Sequence, residues 1–360
     1  MSYIWHNVRD FGVEGKGWDD TEPFYGRLPV KAKAKVRDII WDLGHCSAGI
    51  SARFKTNAAE IRVRWKMSSD ILSKFHTPLR AYSGIDLYAR APDDKWLWVG
   101  TTKEIDSNKA ESTILTGIPE RMHEYLIYLP LFNPVEEMEI GVLEGSTFEG
   151  MTPRRQKPIL YYGTSIVHGA GVTRPGMAHA SILGRRLDYP LLNMGFSGNA
   201  RMEPEVAELL AELDPVLYIL DPLPNMSADM VKENAESFIN TICKTHPDVP
   251  VIMVEDRTYP AGWLLPDLMN RNDSCRAEFK IVYERLISSA MKKLYYVKGE
   301  KLLGDDGDGT ADGSHPSDLG AVRMVDILEP LVRSNITCSA IHPPASTQKT
   351  GGFYGNTERF

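Results

Sequence analysis

At 360 residues, with 42% hydrophobic and 25% charged residues, the chain carries enough apolar material for a full core, and its length favours two domains over one. A net charge of −7, with no basic stripe interleaved with aromatics, argues against a general nucleic-acid binder. No apolar run approaches the roughly 18–20 residues that cross a bilayer, and Cys46, Cys243, Cys275 and Cys338 lack C-x-x-C spacing, so they read as free, mostly buried thiols.

The opening Met-Ser-Tyr-Ile-Trp-His has neither the basic nor the apolar region of a signal peptide, which fits a cytoplasmic protein or an exported one after processing. Residues 1–148 read as a β-sandwich. Short alternating runs recur at Ile61–Trp65, Gly84–Tyr88, Trp96–Val99 and Glu124–Leu129, separated by Gly, Pro, Asn and Asp clusters, and no sustained helical period competes with them. A polar, Pro- and Gly-containing connector follows over 145–157, of which 149–157 is the linker proper.

Beyond it the pattern changes. Strand-like runs at Ile159–Tyr162, Leu191–Met194, Val216–Leu220, Val251–Val254 and Leu294–Val297 alternate with helix-length stretches at Pro175–Leu187, Pro204–Leu213, Ala228–Lys244 and Arg276–Lys293. A last helix is expected over Ser317–Val332, and an extended polar tail over 336–360. Alternating βα units predict a parallel sheet with helices on both faces over 158–335.

Four blocks fall at the ends of these strands or before the last helix. Gly163-Thr164-Ser165 closes the first strand, where a hydroxyl sits before a helix N-terminus. Asn193-Met-Gly-Phe-Ser-Gly198-Asn199 follows the second, and a glycine there lets a backbone N–H approach an oxyanion closely. Asn225 follows the third strand and carries a side-chain amide that can serve the same charge. Asp312-Gly-Ser-His315 precedes the last helix and supplies a base and the carboxylate that fixes its tautomer. His168, one helical turn after Ser165, is the rival base by proximity, though it reads better as site lining or helix packing. Asn199, Arg201 and Asp256, all at the carboxyl edge, are the other candidates for substrate contact, with a structural ion pair an equal alternative for Asp256. Asp305-Asp-Gly-Asp308 hints at calcium but lacks the remaining loop ligands, so a solvated loop is expected.

Ser165, Gly198, Asn225 and His315, with Asp312 three residues before the histidine, resemble the blocks of the SGNH (GDSL-like) hydrolases. Gly84-Ile-Asp86-Leu-Tyr88 is similar to the motif of the branch that carries an N-terminal GxDLY β-domain. The resemblance implies a flavodoxin-like three-layer α/β/α hydrolase domain behind a jelly-roll-like β-sandwich. It also implies serine esterase chemistry without a required metal or other cofactor: Ser165 as nucleophile, His315 and Asp312 completing the triad, and Ser165, Gly198 and Asn225 as oxyanion donors. One departure stands out, because Thr164 replaces the aspartate of the usual Gly-Asp-Ser. The joined sandwich and hydrolase are similar to carbohydrate esterases, so the expected partner is a small-molecule, oligosaccharide or polysaccharide ester, with acetyl as the expected acyl group. Trp5, Trp18, Trp96 and Trp98 are candidate sugar-stacking faces, though tryptophan in a sandwich is more often core. Lipase, thioesterase or arylesterase activity is the enzymatic alternative and non-catalytic carbohydrate binding the other; self-association into a homo-oligomer is left open.

Overall fold

The computed structural model describes residues 2–289 and 291–341. Its first part contains two antiparallel sheets. Strands β1 (Tyr3–Asn7), β2 (Ser51–Thr56), β3 (Glu60–Met67), β4 (Asp86–Arg90), β5 (Trp96–Thr101), β6 (Lys109–Thr116), β7 (His123–Tyr128), β8 (Val135–Leu143) and β9 (Phe148–Met151) pair in the orders β1-β8-β3-β6 and β5-β4-β7-β2-β9. In β3 the exposure alternates strictly, and Ile61, Val63, Trp65 and Met67 point inward. They meet Phe54, Leu87, Ile127, Ile140 and others in one core between the sheets, the outcome expected for strands buried on one face.

Two short helices interrupt this part, α1 (Asp38–Gly44) and α2 (Leu79–Ser83). The segment around α1 departs from the sandwich expected over 1–148: Leu28, Ala32, Val36 and Ile40 leave the sandwich core and pack with the α/β part of the chain. The connector also differs from expectation. Phe148–Met151 is a strand, because Phe148 stacks on Phe54 at 5.3 Å and on His6 at 3.9 Å. Arg154, three residues on, donates to both carboxylate oxygens of Glu14 and to Asp188, so the crossing point is fastened to both parts.

The second part carries β10 (Ile159–Gly163), β11 (Leu191–Gly195), β12 (Leu217–Asp221), β13 (Val251–Val254) and β14 (Leu294–Val297), all parallel, in the order β11-β10-β12-β13-β14. That order is the flavodoxin-like one, whose direction of winding reverses between β10 and β12. Ile159 and Tyr161 of β10 enter one core and Leu160 and Tyr162 the other, so both faces are covered. Helices α5 (Pro204–Ala211), α6 (Ala228–Thr245) and α7 (Pro266–Ser288) cover one side; α4 (His179–Leu187) and α8 (Asp318–Ile341) cover the other, with the one-turn helix α3 (Ser165–His168) at the end of β10.

Three helix limits differ from the sequence reading. Pro175–Met177 is a 3-10 turn ahead of α4. Helix α7 begins at Pro266, ten residues before Arg276, and stops at Ser288. Helix α8 continues to Ile341, so residues 336–341, expected in the tail, are helical, while 342–360 lie outside the described residues. Among the described residues Cys46, Cys243 and Cys275 are free, and no helix is long and apolar enough to cross a membrane.

Candidate active site

β10 ends in Gly163, and the chain turns at once into α3, so Ser165 stands at the carboxyl edge beside the point where the sheet reverses direction. This is where open α/β sheets leave a crevice. Thr164 caps α3: its hydroxyl accepts the Ile166 N–H at 3.3 Å, a role in which an aspartate is also favoured. The neighbouring turn after β11 is pressed against α3. A Cβ on Gly195 would lie 2.2 Å from the backbone nitrogen of His168, so only glycine lets the two segments approach this closely. Asn193 fastens the same contact, donating to the Val167 carbonyl at 2.7 Å and accepting the Gly195 N–H at 3.0 Å.

Three side chains converge there. Ser165 Oγ lies 2.9 Å from His315 Nε2, across 150 residues of sequence, and His315 Nδ1 lies 2.7 Å from Asp312 Oδ2. The other carboxylate oxygen accepts the backbone N–H groups of Ser314 (2.9 Å) and His315 (2.7 Å). Partial burial pushes the Asp312 carboxyl upward, but these N–H groups and the imidazole outweigh it and hold it below its ordinary range. An ionised carboxylate can only accept, which places the ring proton on Nδ1 and leaves Nε2 free to accept from the serine hydroxyl. Ser165 itself is only 8% exposed.

The turn after β11 holds Gly198 at φ +73, exposed and with open space around it. The turn after β12 holds Asn225, whose Oδ1 accepts the Ala200 N–H at 3.3 Å; the bond links the two turns and leaves the amide nitrogen as a donor.

The other candidates have different surroundings. His168 is fully buried, stacks on Phe132 at 4.0 Å and bonds the Leu131 carbonyl at 2.7 Å; burial holds its pKa well below the ordinary value, so it packs α3 and lines no open surface. Asn199 has both polar ends engaged, by Arg37 at 2.9 Å and by the Ser197 carbonyl at 2.9 Å. Arg201 stands in the same connection, its carbonyl accepting from Asn234 of α6. Asp256 is 1% exposed and pairs with Arg257, which in turn donates to the Ser314 carbonyl and hydroxyl at 2.8 Å each. Burial thus takes Asp256 away from substrate and makes it a brace behind the loop that carries His315. Asp221, opposite Gly163 in register, is also buried there; burial first and the Asp256 charge second push it up to about 7. Asp306 of the acidic loop pairs with Arg323 at 2.7 Å.

The first part of the chain contributes through Arg27, which is invisible in the local sequence, and through the GxDLY segment. Arg27 is fully buried, and it donates to the carbonyls of Asn193 (2.9 Å) and Gly195 (2.8 Å), fixing the end of β11 from the first part of the chain. Burial pulls its pKa down to about 10, which leaves it charged at neutral pH. Asp86 of the GxDLY segment is buried and accepts from Trp98 Nε1 (2.7 Å), Arg174 (2.6 Å) and the Gly176 N–H (2.9 Å), while Tyr88 OH accepts from the same arginine at 2.6 Å. Arg174 and Gly176 belong to the loop that follows α3, so the motif pins that loop. Thr173, Arg174 and Trp98 also line an open cleft of about 850 Å³ whose other walls come from the first part, chiefly β5 and β6. Trp98 is 48% exposed there. Of the other three candidate tryptophans, Trp96 donates to Asp188, Trp18 donates to Glu212, and Arg64 covers Trp5.

Residues 156–333 match the GDSL-like lipase/acylhydrolase family, and residues 3–148 match the N-terminal GxDLY unit of SGNH-type esterases. No curated protein matches the chain. Among solved structures, a GDSL-like lipase from Bacteroides ovatus is 29% identical with a TM-score of 0.89, over 93% of this chain and 98% of that one. The salicylyl-acyltransferase SsfX3 of a tetracycline biosynthetic pathway is 18% identical, TM-score 0.74, over 92% and 97%. The acetyl xylan esterase Est2A of the rumen bacterium Butyrivibrio proteoclasticus is 8% identical, TM-score 0.59, over 94% and 99%. The latter two share the fold. With both parts of the chain matched, it belongs to the GDSL-like (SGNH) carboxylic ester hydrolases, in the branch that carries an N-terminal GxDLY unit.

Proposed function

We propose that the protein is a serine esterase that removes short acyl groups, acetyl foremost, from esterified carbohydrate. The observation that carries this reading is the hydrogen-bonded series Ser165–His315–Asp312 at the switch point of the sheet. Ser165 attacks the ester carbonyl as His315 takes its proton. The tetrahedral oxyanion is met by the N–H groups of Ser165 and Gly198 and by the Asn225 amide. Collapse breaks the bond to the alcohol, which leaves with the proton from His315. Water, deprotonated by the same imidazole, then cleaves the acyl-serine, releases the acid and regenerates the hydroxyl.

A nucleophile this enclosed favours a short acyl group, and the cleft lined by Thr173, Arg174 and Trp98 offers polar groups and one exposed aromatic ring of the kind a saccharide uses. The acetyl xylan esterase of the same fold supports the substrate class by analogy. The test compares p-nitrophenyl acetate, butyrate and palmitate with acetylated xylan. Hydrolysis should fall steeply from acetate to palmitate, and acetate should be released from the xylan. Preference for palmitate would favour a lipase. A protein that hydrolyses none of these esters, resists a fluorophosphonate and yet binds polysaccharide would be a binding protein instead.

The oxyanion assignment has its own measurement. Asn225→Ala removes one donor and should lower kcat on p-nitrophenyl acetate on the order of 100–1000-fold with KM nearly unchanged. A loss below about threefold would remove Asn225 from the charge-binding set.

A further inference from the structure

The first part of the chain also reaches the imidazole of His315. Between β3 and α2, Lys74 and Thr77 close a tight turn by two mutual backbone hydrogen bonds, Lys74 N to Thr77 O at 3.1 Å and Thr77 N to Lys74 O at 2.9 Å. Phe75 and His76 form its tip. Phe75 is 95% exposed. His76 turns inward, and its ring stacks on that of His315 with centroids 5.2 Å apart and planes 17° from parallel.

The placement is built from both sides. The His76 carbonyl accepts the Gly171 N–H at 2.9 Å, tying the turn to the loop after α3. Gly171, at φ +91, is itself pressed against the histidine loop: a Cβ there would lie 2.5 Å from the Pro316 carbonyl oxygen and 2.8 Å from His315 Cβ. Turn, loop and histidine are therefore locked together. Among the described residues His76 Nδ1 has no hydrogen-bond partner, and the ring meets His315 through its face.

We propose that His76 is a positioning residue: its ring face holds the His315 imidazole in line with Ser165 and supports the imidazolium that forms when the hydroxyl proton arrives. The inference rests on the esterase reading above. A neutral aromatic face attracts a cation laid over it. The titratable and charged groups that face His76 are His315, Asp312 and Lys74, and burial first, then His315, lower its pKa, so it stays neutral when its partner takes the proton. Two stacked imidazolium rings would repel; this arrangement avoids that.

The test uses the full chain with p-nitrophenyl acetate and a fluorophosphonate. His76→Ala should lower kcat and the rate of Ser165 labelling about tenfold, with KM changed less than twofold. His76→Phe, which keeps a ring face but cannot titrate or donate a proton, should restore both to within about twofold of wild type. His76→Leu fills the space without a ring and should behave as His76→Ala, which guards against a loss caused by folding alone. The proposal is overturned if His76→Ala keeps wild-type kcat, or if His76→Phe is as slow as His76→Ala. A wild-type protein inert to both reagents would instead bring down the esterase reading.

Discussion

Ser165→Ala is expected to bring ester hydrolysis down to background, a loss on the order of 10⁴-fold or more, and to abolish fluorophosphonate labelling. The reason lies in what the variant leaves behind. The imidazole, its carboxylate and the turns after β11 and β12 stay in place, but no atom remains to form the acyl bond. The fold should hardly notice. Among the described residues Ser165 Oγ makes one side-chain hydrogen bond, to His315, whose own side chain is 17% exposed and so can turn to water. Losing one such bond at a site reached by solvent costs about 1 kcal/mol, so Tm should move by only a few degrees. Full activity in Ser165→Ala would sink the mechanism, whereas a large fall in Tm would mean that Oγ has a structural role its contacts do not display.

The parts of the site that lie at strand ends were legible in the sequence because the backbone places them there. A parallel strand buried on both faces is a short apolar run, and its carboxyl end is where the run stops. Ser165, Gly198 and Asn225 could be assigned to the edge of a sheet on that ground alone, and Asp312 reaches His315 within one turn of chain. The start of α7 was not legible. Its first turns, Pro266-Asp-Leu-Met-Asn-Arg-Asn-Asp-Ser-Cys275, are rich in poor helix formers and carry no apolar stripe. They are held by distant partners, since Arg271 donates to the carbonyls of Pro224 and Met226 and Asn272 to that of Arg257. Which core residues 28–40 join was not legible for a related reason: it is decided by where the sheets dock. Arg27 and His76 left no signal, because the bonds of the arginine to the Asn193 and Gly195 carbonyls and the stacking of the histidine on His315 join residues more than a hundred positions apart. Asp256 illustrates the converse. Its position at a strand end suited substrate contact and a structural ion pair alike, and burial beside Arg257 makes it the ion pair.

Asp312→Asn is expected to cost nearly as much as loss of the nucleophile, on the order of 10³–10⁴-fold in kcat at neutral pH, with the shape of the site preserved. In the wild type one carboxylate oxygen accepts two backbone N–H groups and the other accepts the Nδ1 proton of His315. An asparagine has one oxygen and one NH₂. If its oxygen keeps the backbone N–H groups, its NH₂ faces Nδ1 and can only be met by a lone pair. The ring proton then moves to Nε2, where it blocks acceptance from Ser165, so the imidazole stands in the right place as the wrong tautomer. Stability should respond in a different way. Because the Asp312 carboxyl is held below its ordinary range, its charged form favours the folded state above the unfolded pKa, and that contribution is lost as pH falls through the folded one. Wild type and variant should therefore differ modestly in Tm at neutral pH and converge in acid, while the gap in kcat at neutral pH stays large. Retention of more than about a tenth of the activity in Asp312→Asn would show that the tautomer of His315 is fixed by another group.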